Sequence, residues 1–283
     1  MKFRDRSPRA EEVQKLLDVA EIRGKVIVSM LALGGFRIGT LSKLEYRHVK
    51  QDLERGIQPI HVHVEDEIVK GKYGDYDTFL GPEAIEPLKL YLDCRRKGVS
   101  IRPGVHRNLP PETIIDGSPL LRDEHTVKIR PISPARIHDI VHDLYLRSGL
   151  LREGSGTLYE LRAHSLRKYF KTELISLHVQ PDYIDYMMGH KVDTYHDIQM
   201  KGLEFLRGIY SASGLGIRAK TQLSKIELAK QVLAAVAGVR PEEIIIREAQ
   251  AHPNRSYASP DAQAEVLMNA IRQAVKEDLI RSV

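Results

Sequence analysis

The sequence predicts a mainly α-helical chain with one small antiparallel sheet, an α+β arrangement, and three observations predict it. Apolar residues recur at helical spacing through most of the chain. Two-residue alternation is confined to residues 58–80. Ser-Pro pairs, lone prolines and glycines fall where the helical patterns begin and end.

The first helix is expected to start at Ser7-Pro8, Ser as N-cap and Pro in the first helical position, with Val13, Leu16, Leu17 and Ala20 in period. A second apolar helix covers 22–33 and stops at Gly34-Gly35. Residues 37–46 continue helically through Ile38, Leu41 and Leu44. Residues 58–64, 67–70 and 76–80 alternate as three strands, with Gly71-Lys72-Tyr73-Gly74 forming a hairpin tip at 71–75. Pro82 restarts a helix over 82–96, and the Pro-, Gly- and Arg-rich stretch 97–134 reads as a loop able to wrap a ligand. Helices follow at 134–148, 162–177 and 181–189, then shorter ones to about 213, before Gly214 and Gly216 break the pattern.

After Arg218 the composition shifts. Helices at 223–237 and 241–250, the polar loop HPNRSYA and a last helix from Ser259-Pro260 make a helical extension. Its stripe is Val266, Leu267, Ala270, Ile271, Ala274 and Val275. The expected division is therefore 1–217, the main domain, and 218–283, an extension packed on it or on a partner chain.

Of 283 residues, 42% are hydrophobic and 29% charged, as in ordinary globular proteins. No apolar run approaches the roughly 18–20 residues that span a bilayer, and MKFRDRSPRA lacks the apolar core of a secretion signal. No membrane association is expected. The single Cys94 excludes an intrachain disulfide and suits a reducing cytoplasm. Lys and Arg number 43 against 38 acids, a net charge of +5, which is compatible with nucleic acid without requiring it. Basic residues gather in 95–108, 122–136 and 162–171, acids around 65–77 and 242–278.

Four local features could carry chemistry. In Gly35-Phe36-Arg37-Ile38-Gly39-Thr40-Leu41 an arginine follows a glycine turn at a helix start, where its fork can meet an oxyanion; surface arginines are also common there. Lys72 sits at the expected hairpin tip, with Lys70 its competitor, and a lysine on a turn can equally be solubilising. In Ala163-His164-Ser165-Leu166-Arg167-Lys168-Tyr169-Phe170, His164 and Arg167 share a helix face. Met187-Met188-Gly189-His190 ends a helix, with Tyr195 soon after; a histidine there can also simply cap carbonyls.

GGFRIGTLSKL, the Gly-Lys hairpin, HSLRKYF and MGH, in that order, resemble the catalytic domain of the tyrosine recombinase (integrase) family. ELRAHSLRKYFKTEL and YMMGHKVDTYHDI are nearest to its archaeal and mobile-element branch, and the resemblance covers residues 8–213. It implies that Arg37 and Arg167 clamp the scissile phosphate and stabilise its pentacoordinate transition state. Lys72 would protonate the leaving 5′ oxygen. His164 and His190 would donate hydrogen bonds and assist proton movement, and a tyrosine would attack to leave a 3′-phosphotyrosyl link. Neither metal, cofactor nor ATP is implied. The partners would be double-stranded DNA and other copies of the chain, a homo-tetramer on DNA and a monomer or dimer without it. A C-terminal segment, 203–217 or the extension, would dock on a neighbour. Family members usually carry a further N-terminal helical domain, so either these residues are a fragment or the protein is minimal.

Two positions depart from the family pattern. Thr40 stands where an acidic residue is usual, which implies a different local brace. The spacing from the last histidine to the tyrosine matches neither Tyr195, five residues on, nor Tyr210, twenty on. Tyr195 is favoured because Asp193 can cap a short helix over 194–201 closed by Gly202, with Tyr210 then a packing residue; Tyr210 on its longer tether is the alternative. Rival readings are a DNA-binding protein that has lost catalysis, a type IB topoisomerase-like enzyme and, more distantly, a metal-dependent nuclease. His61 and His63 share a strand face, but the sequence places no third ligand, so no metal is expected. Lys43, Arg47, Arg136 and Lys168 are candidates for phosphate contacts.

Overall fold

A helix that is apolar on every face has to be enclosed, and the second helix of this chain is. The computed structural model describes residues 5–69, 74–98, 109–152, 160–191 and 198–218, and beyond them 244, 247–248, 250–251, 265–270 and 272–273. It divides into two compact units, Met1–Arg218 and Ala219–Val283. The elements of the first are α1 (Ala10–Val19), α2 (Ile22–Leu33), α3 (Ile38–Leu41), α4 (Arg47–Arg55), β1 (Ile60–Val64) and β2 (Tyr76–Leu80). Then come α5 (Pro82–Lys97), α6 (Pro134–Arg147), α7 (Ala163–Ser176), α8 (Pro181–Met187) and α9 (Leu203–Ser213). In the second unit the described residues are helical, with Val266 and Leu267 buried. Among the described residues no helix is long and apolar enough to cross a membrane.

Helix α2 buries everything from Val26 to Leu33 and packs against α1, α5, α6 and α7, so the core is a ring of helices around one apolar axis. Helix α1 begins two residues later than expected. Its N-cap is Arg9, whose amide is bonded by Glu12 Oε2 at 2.8 Å, while both Glu12 oxygens also take the Arg6 fork at 2.7 Å. A carboxylate that answers both amide and guanidinium outcompetes the Ser7 hydroxyl, which turns to the Pro8 carbonyl instead.

Two expected elements are corrected. The helix read over 37–46 is a single turn, Ile38–Leu41, because the chain beyond it is drawn into pairing with residues 116–120. The Tyr46 amide donates to Ser118 O, Arg47 to Asp116 O, and Leu120 to Leu44 O. The helix that follows, α4, was not foreseen; it ends at Gly56 in the left-handed conformation.

Among the described residues the sheet has two strands, not three. Strands β1 and β2 pair antiparallel with His63 opposite Asp77 and Ile60 opposite Leu80. The third expected strand is a 3-10 turn at Asp66–Ile68. There the Asp75 carboxylate accepts the Asp66 amide at 2.7 Å, and the Asp66 carboxylate accepts the Gly74 amide at 3.0 Å. Short acidic side chains thus take donors that a ladder would need.

The long Arg-rich connection between α5 and α6 is held by buried charge. Arg95 on α5 and Arg122 in the connection both bind Glu112, and all three side chains are at most 2% exposed. The arginines also donate to the carbonyls of Pro119, Leu120, Thr126 and Val127. Burial raises the Glu112 carboxyl, but the bonds from Arg95 and Arg122 outweigh it and hold it below the usual carboxylate range. That stabilisation is full above the unfolded pKa and is lost as pH falls through the lower folded one. Replacing Glu112→Gln leaves two buried cations uncompensated and is expected to destabilise the chain by about 3–5 kcal/mol. Urea unfolding at neutral pH measures it; a loss below about 1 kcal/mol would show that the arginines are satisfied by the carbonyls alone.

Candidate active site

Two arginines from distant parts of the chain reach the same turn. Arg37, in extended conformation, is the N-cap of α3 immediately after α2 ends at Gly34. Arg167 lies on the inner face of α7 and is 2% exposed. Arg167 Nη2 donates to Met188 O at 2.5 Å and Nη1 to Gly35 O. Arg37 Nη1 donates to Gly189 O at 3.1 Å, with Met188 O at 3.4 Å. The carbonyls behind α8 therefore aim both guanidinium groups at one place.

Both carbonyl turns depend on glycine. Gly35 has φ +65°, and a Cβ on it would meet the Phe170 ring at 2.7 Å. Gly189 has φ +61°, and its Cβ would meet the Tyr76 ring at 2.5 Å. Left-handed backbone and close aromatic contact each exclude a side chain.

His190 follows that second turn. Its Nδ1 lies 2.8 Å from Asp185 Oδ1 and its Nε2 lies 3.0 Å from Arg167 Nη2. A guanidinium can only donate, so Nε2 is the acceptor and Nδ1 carries the proton to Asp185. Asp185 is itself held by Lys171 Nζ at 2.6 Å. Burial lowers the His190 pKa, the Asp185 hydrogen bond opposes this, and Arg167 and Arg37 lower it further. His164 sits exposed on the first turn of α7. Desolvation lowers its pKa, Asp5 acts against this, and the charges of Arg167, Lys168 and Arg37 add to the lowering. The two fixed cations thus oppose protonation of both histidines.

Among the described residues no carboxylate pairs with Arg37 or Arg167. Burial, and then the charge of Arg37, lower Arg167 to about 10. Like charges held together without an acid form a receptor for an anion with several oxygens.

The structure brings Arg37, Arg167 and His190 together, with His164 in electrostatic reach. Lys72, its competitor Lys70 and Tyr195 fall outside the described residues. Tyr210 is 3% exposed on α9, its hydroxyl donating to Leu33 O at 2.8 Å and accepting from Gly81 N at 3.2 Å. Burial pushes its phenol well above the ordinary range. Thr40, at the position where the resemblance implies an acid, is buried near the Tyr76 phenol, whose ring packs against Gly189. Of the suggested phosphate ligands, Arg47 is paired with Glu45 and Glu65 and Lys168 with Asp5, whereas Lys43 is exposed and Arg136 is half-buried. Sequence reading missed Asp185 and Lys171; an acid five residues before a histidine that follows a helix end was the available signal.

The sequence profile of the phage integrase family matches residues 7–198. The chain belongs to that family. Among solved structures, this integrase-family chain is similar to a XerA recombinase at 19% identity, covering 73% of this chain and 58% of that one, with a TM-score of 0.46. The integrase of mycobacterium phage Brujita follows at 18% identity, 77% and 61% coverage, and 0.46. The Tn1549 transposon integrase, solved with transposon right end DNA, is 17% identical over 80% of this chain and 66% of its own, also at 0.46. The chain thus spans about three-fifths of the length of the first two. A comparison with curated protein sequences finds no match.

Replacing Asp185→Asn removes the group that favours the His190 imidazolium. The His190 pKa, followed by NMR of its ring proton against pH, is expected to fall further below the ordinary 6.5. Because the folded state then resists protonation more strongly, stability should be lost more steeply as pH drops through 6.5. An unchanged titration would remove Asp185 from this role.

Proposed function

We propose that this integrase-family chain is a site-specific DNA recombinase that cuts and rejoins double-stranded DNA through a 3′-phosphotyrosyl intermediate, without metal or ATP. The observation that carries the reading is the Arg37–Arg167 pair, aimed together by the Gly35, Met188 and Gly189 carbonyls and unpaired with acid among the described residues. A scissile phosphodiester offers two non-bridging oxygens to such a pair, and the charge that grows on them in the pentacoordinate transition state is what two cations stabilise most. The carbonyl bonds keep the guanidinium groups in position before DNA arrives.

In the proposed reaction the tyrosine oxygen attacks phosphorus while the bond to the 5′ oxygen breaks. Lys72 gives that oxygen its proton, and His164 and His190 bond the phosphate and help carry the tyrosine proton away. Attack by the 5′ hydroxyl of another strand reverses the step. His190 supports the proton-carrying part of this role with a fixed tautomer, since Asp185 holds Nδ1–H and leaves the Nε2 lone pair beside the arginines to take a proton; only then can Nε2–H donate to the phosphate.

Tyr195 is the proposed nucleophile. The Tyr210 hydroxyl, buried and bonded to two backbone groups, supports the choice, because releasing it would break both bonds and open the α2–α5 junction. The 203–217 segment likewise buries Leu206, Leu215 and Ile217, leaving the extension from 218 onward as the better candidate to dock on a neighbour in a DNA-bound tetramer. The single cysteine fits action in the cytoplasm, where DNA is the substrate.

The test uses nicked duplexes carrying a site selected from random DNA by this protein. Denaturant-resistant protein–DNA adduct is expected from wild type and from Tyr210→Phe, and none from Tyr195→Phe. Tyr210→Phe should instead lower unfolding stability by about 1–3 kcal/mol, from the lost buried hydrogen bonds. Adduct from Tyr195→Phe but not from a folded Tyr210→Phe would transfer the role. Absence of adduct from wild type on DNA that it binds would overturn the enzymatic reading.

A further inference from the structure

We propose that His61, His63 and Asp77 form a binding site for one divalent transition-metal ion, zinc in the first instance, on the outer face of the two-stranded sheet. Alternation along β1 sends Ile60, Val62 and Val64 inward and both imidazoles outward. The register then supplies the third group, since His63 lies directly opposite Asp77. His61 Nε2 is 2.7 Å and His63 Nδ1 2.9 Å from the same oxygen, Asp77 Oδ1. The three ligand atoms all lie within 4.8 Å of one another. Tetrahedral zinc with bonds of about 2.0–2.1 Å holds its ligand atoms about 3.3 Å apart, so small side-chain shifts suffice. Two imidazoles and a carboxylate are a donor set suited to zinc, and the fourth position would fall to water.

The surroundings are those of a supported site. Tyr186 donates its hydroxyl to Asp77 Oδ2 at 2.6 Å, fixing the carboxylate from behind and leaving Oδ1 to face the histidines. Asp75 Oδ2 stands 3.6 Å from His63 Nε2, the ring nitrogen on the side away from Asp77. That is the carboxylate–histidine–metal order in which the outer acid sets tautomer and basicity. A cavity lined by His48, Asp52, His61, His63 and Glu65 gives an ion access, and its one arginine, Arg47, is neutralised by Glu45 and Glu65.

Without an ion, two imidazoles compete for one carboxylate oxygen. With one, the ion would join β1 to β2 at the root of the 65–75 connection, which contains Lys72, and through Asp77 and Tyr186 join both to α8. Metal occupancy would thereby stiffen the frame around the Gly189 turn without entering the reaction itself.

The full chain, stripped with chelator, is dialysed against zinc alone, with no DNA present. Expected are about one zinc retained per chain and a melting temperature that rises with zinc. His63→Ala, the most exposed of the three, is expected to keep the metal-free melting temperature and to lose at least tenfold in zinc affinity. Tyr186→Phe should weaken binding by about 10- to 100-fold through its support of Asp77. His138→Ala, in the imidazole pair on α6, should bind as wild type. No zinc retained by wild type, or equal affinity in His63→Ala, overturns the proposal, as does loss of binding in His138→Ala. All of these readouts are independent of strand cleavage.

Discussion

The burial of Arg167 is the constraint on which the rest of the site depends. A guanidinium at 2% exposure, with another cation beside it, is tolerable only if its protons are answered locally. Here they are answered by the carbonyls of Gly35 and Met188 and by His190 Nε2. The acceptors belong to two separate pieces of chain and Arg167 to a third, so placing this one side chain fixes the end of α2, α7 and the turn after α8 relative to one another. The glycines follow from that demand, because a carbonyl can be turned inward at these points only where no Cβ blocks Phe170 or Tyr76.

The groups packed beside the arginines have electrostatic consequences. Thr40 and the Tyr76 phenol, both buried and neutral, add no negative charge to the field of Arg37 and Arg167. The pocket stays cationic, and the nearest carboxylate in the network, Asp185, is engaged by Lys171 and His190. Negative charge is therefore most strongly stabilised in front of the arginines rather than behind them, which suits a ligand whose charge grows during reaction.

Much of this was legible in the sequence, and the misses have local causes. Helices α2, α5, α6, α7 and α8 were readable because each is bounded by Pro, Gly or an apolar period that no tertiary contact overrides. The motifs around Arg37, His164, Arg167 and His190 were readable because their spacing is short and helical. The 37–46 helix and the third strand were misread because distant backbone (Ser118, Asp116) or nearby carboxylates (Asp66, Asp75) captured amides the local pattern had assigned elsewhere. Asp77 joins His61 and His63 only through strand register, which two separate stretches of sequence do not state. Asp185 was missed for a different reason: it touches His190 through a helix end, where i to i+5 neighbours meet after the backbone reverses.

Tyr210 shows how the end of the first unit is fastened to its middle. Its phenol occupies one carbonyl at the C-terminal end of α2 and one amide at the entrance to α5, a residue 129 positions earlier in the chain. The Gly81 amide is consequently not protected by its own helix at all. Its protection from hydrogen exchange is therefore expected to follow the docking of α9, tying the boundary of α5 to α9 rather than to the turns of α5 itself.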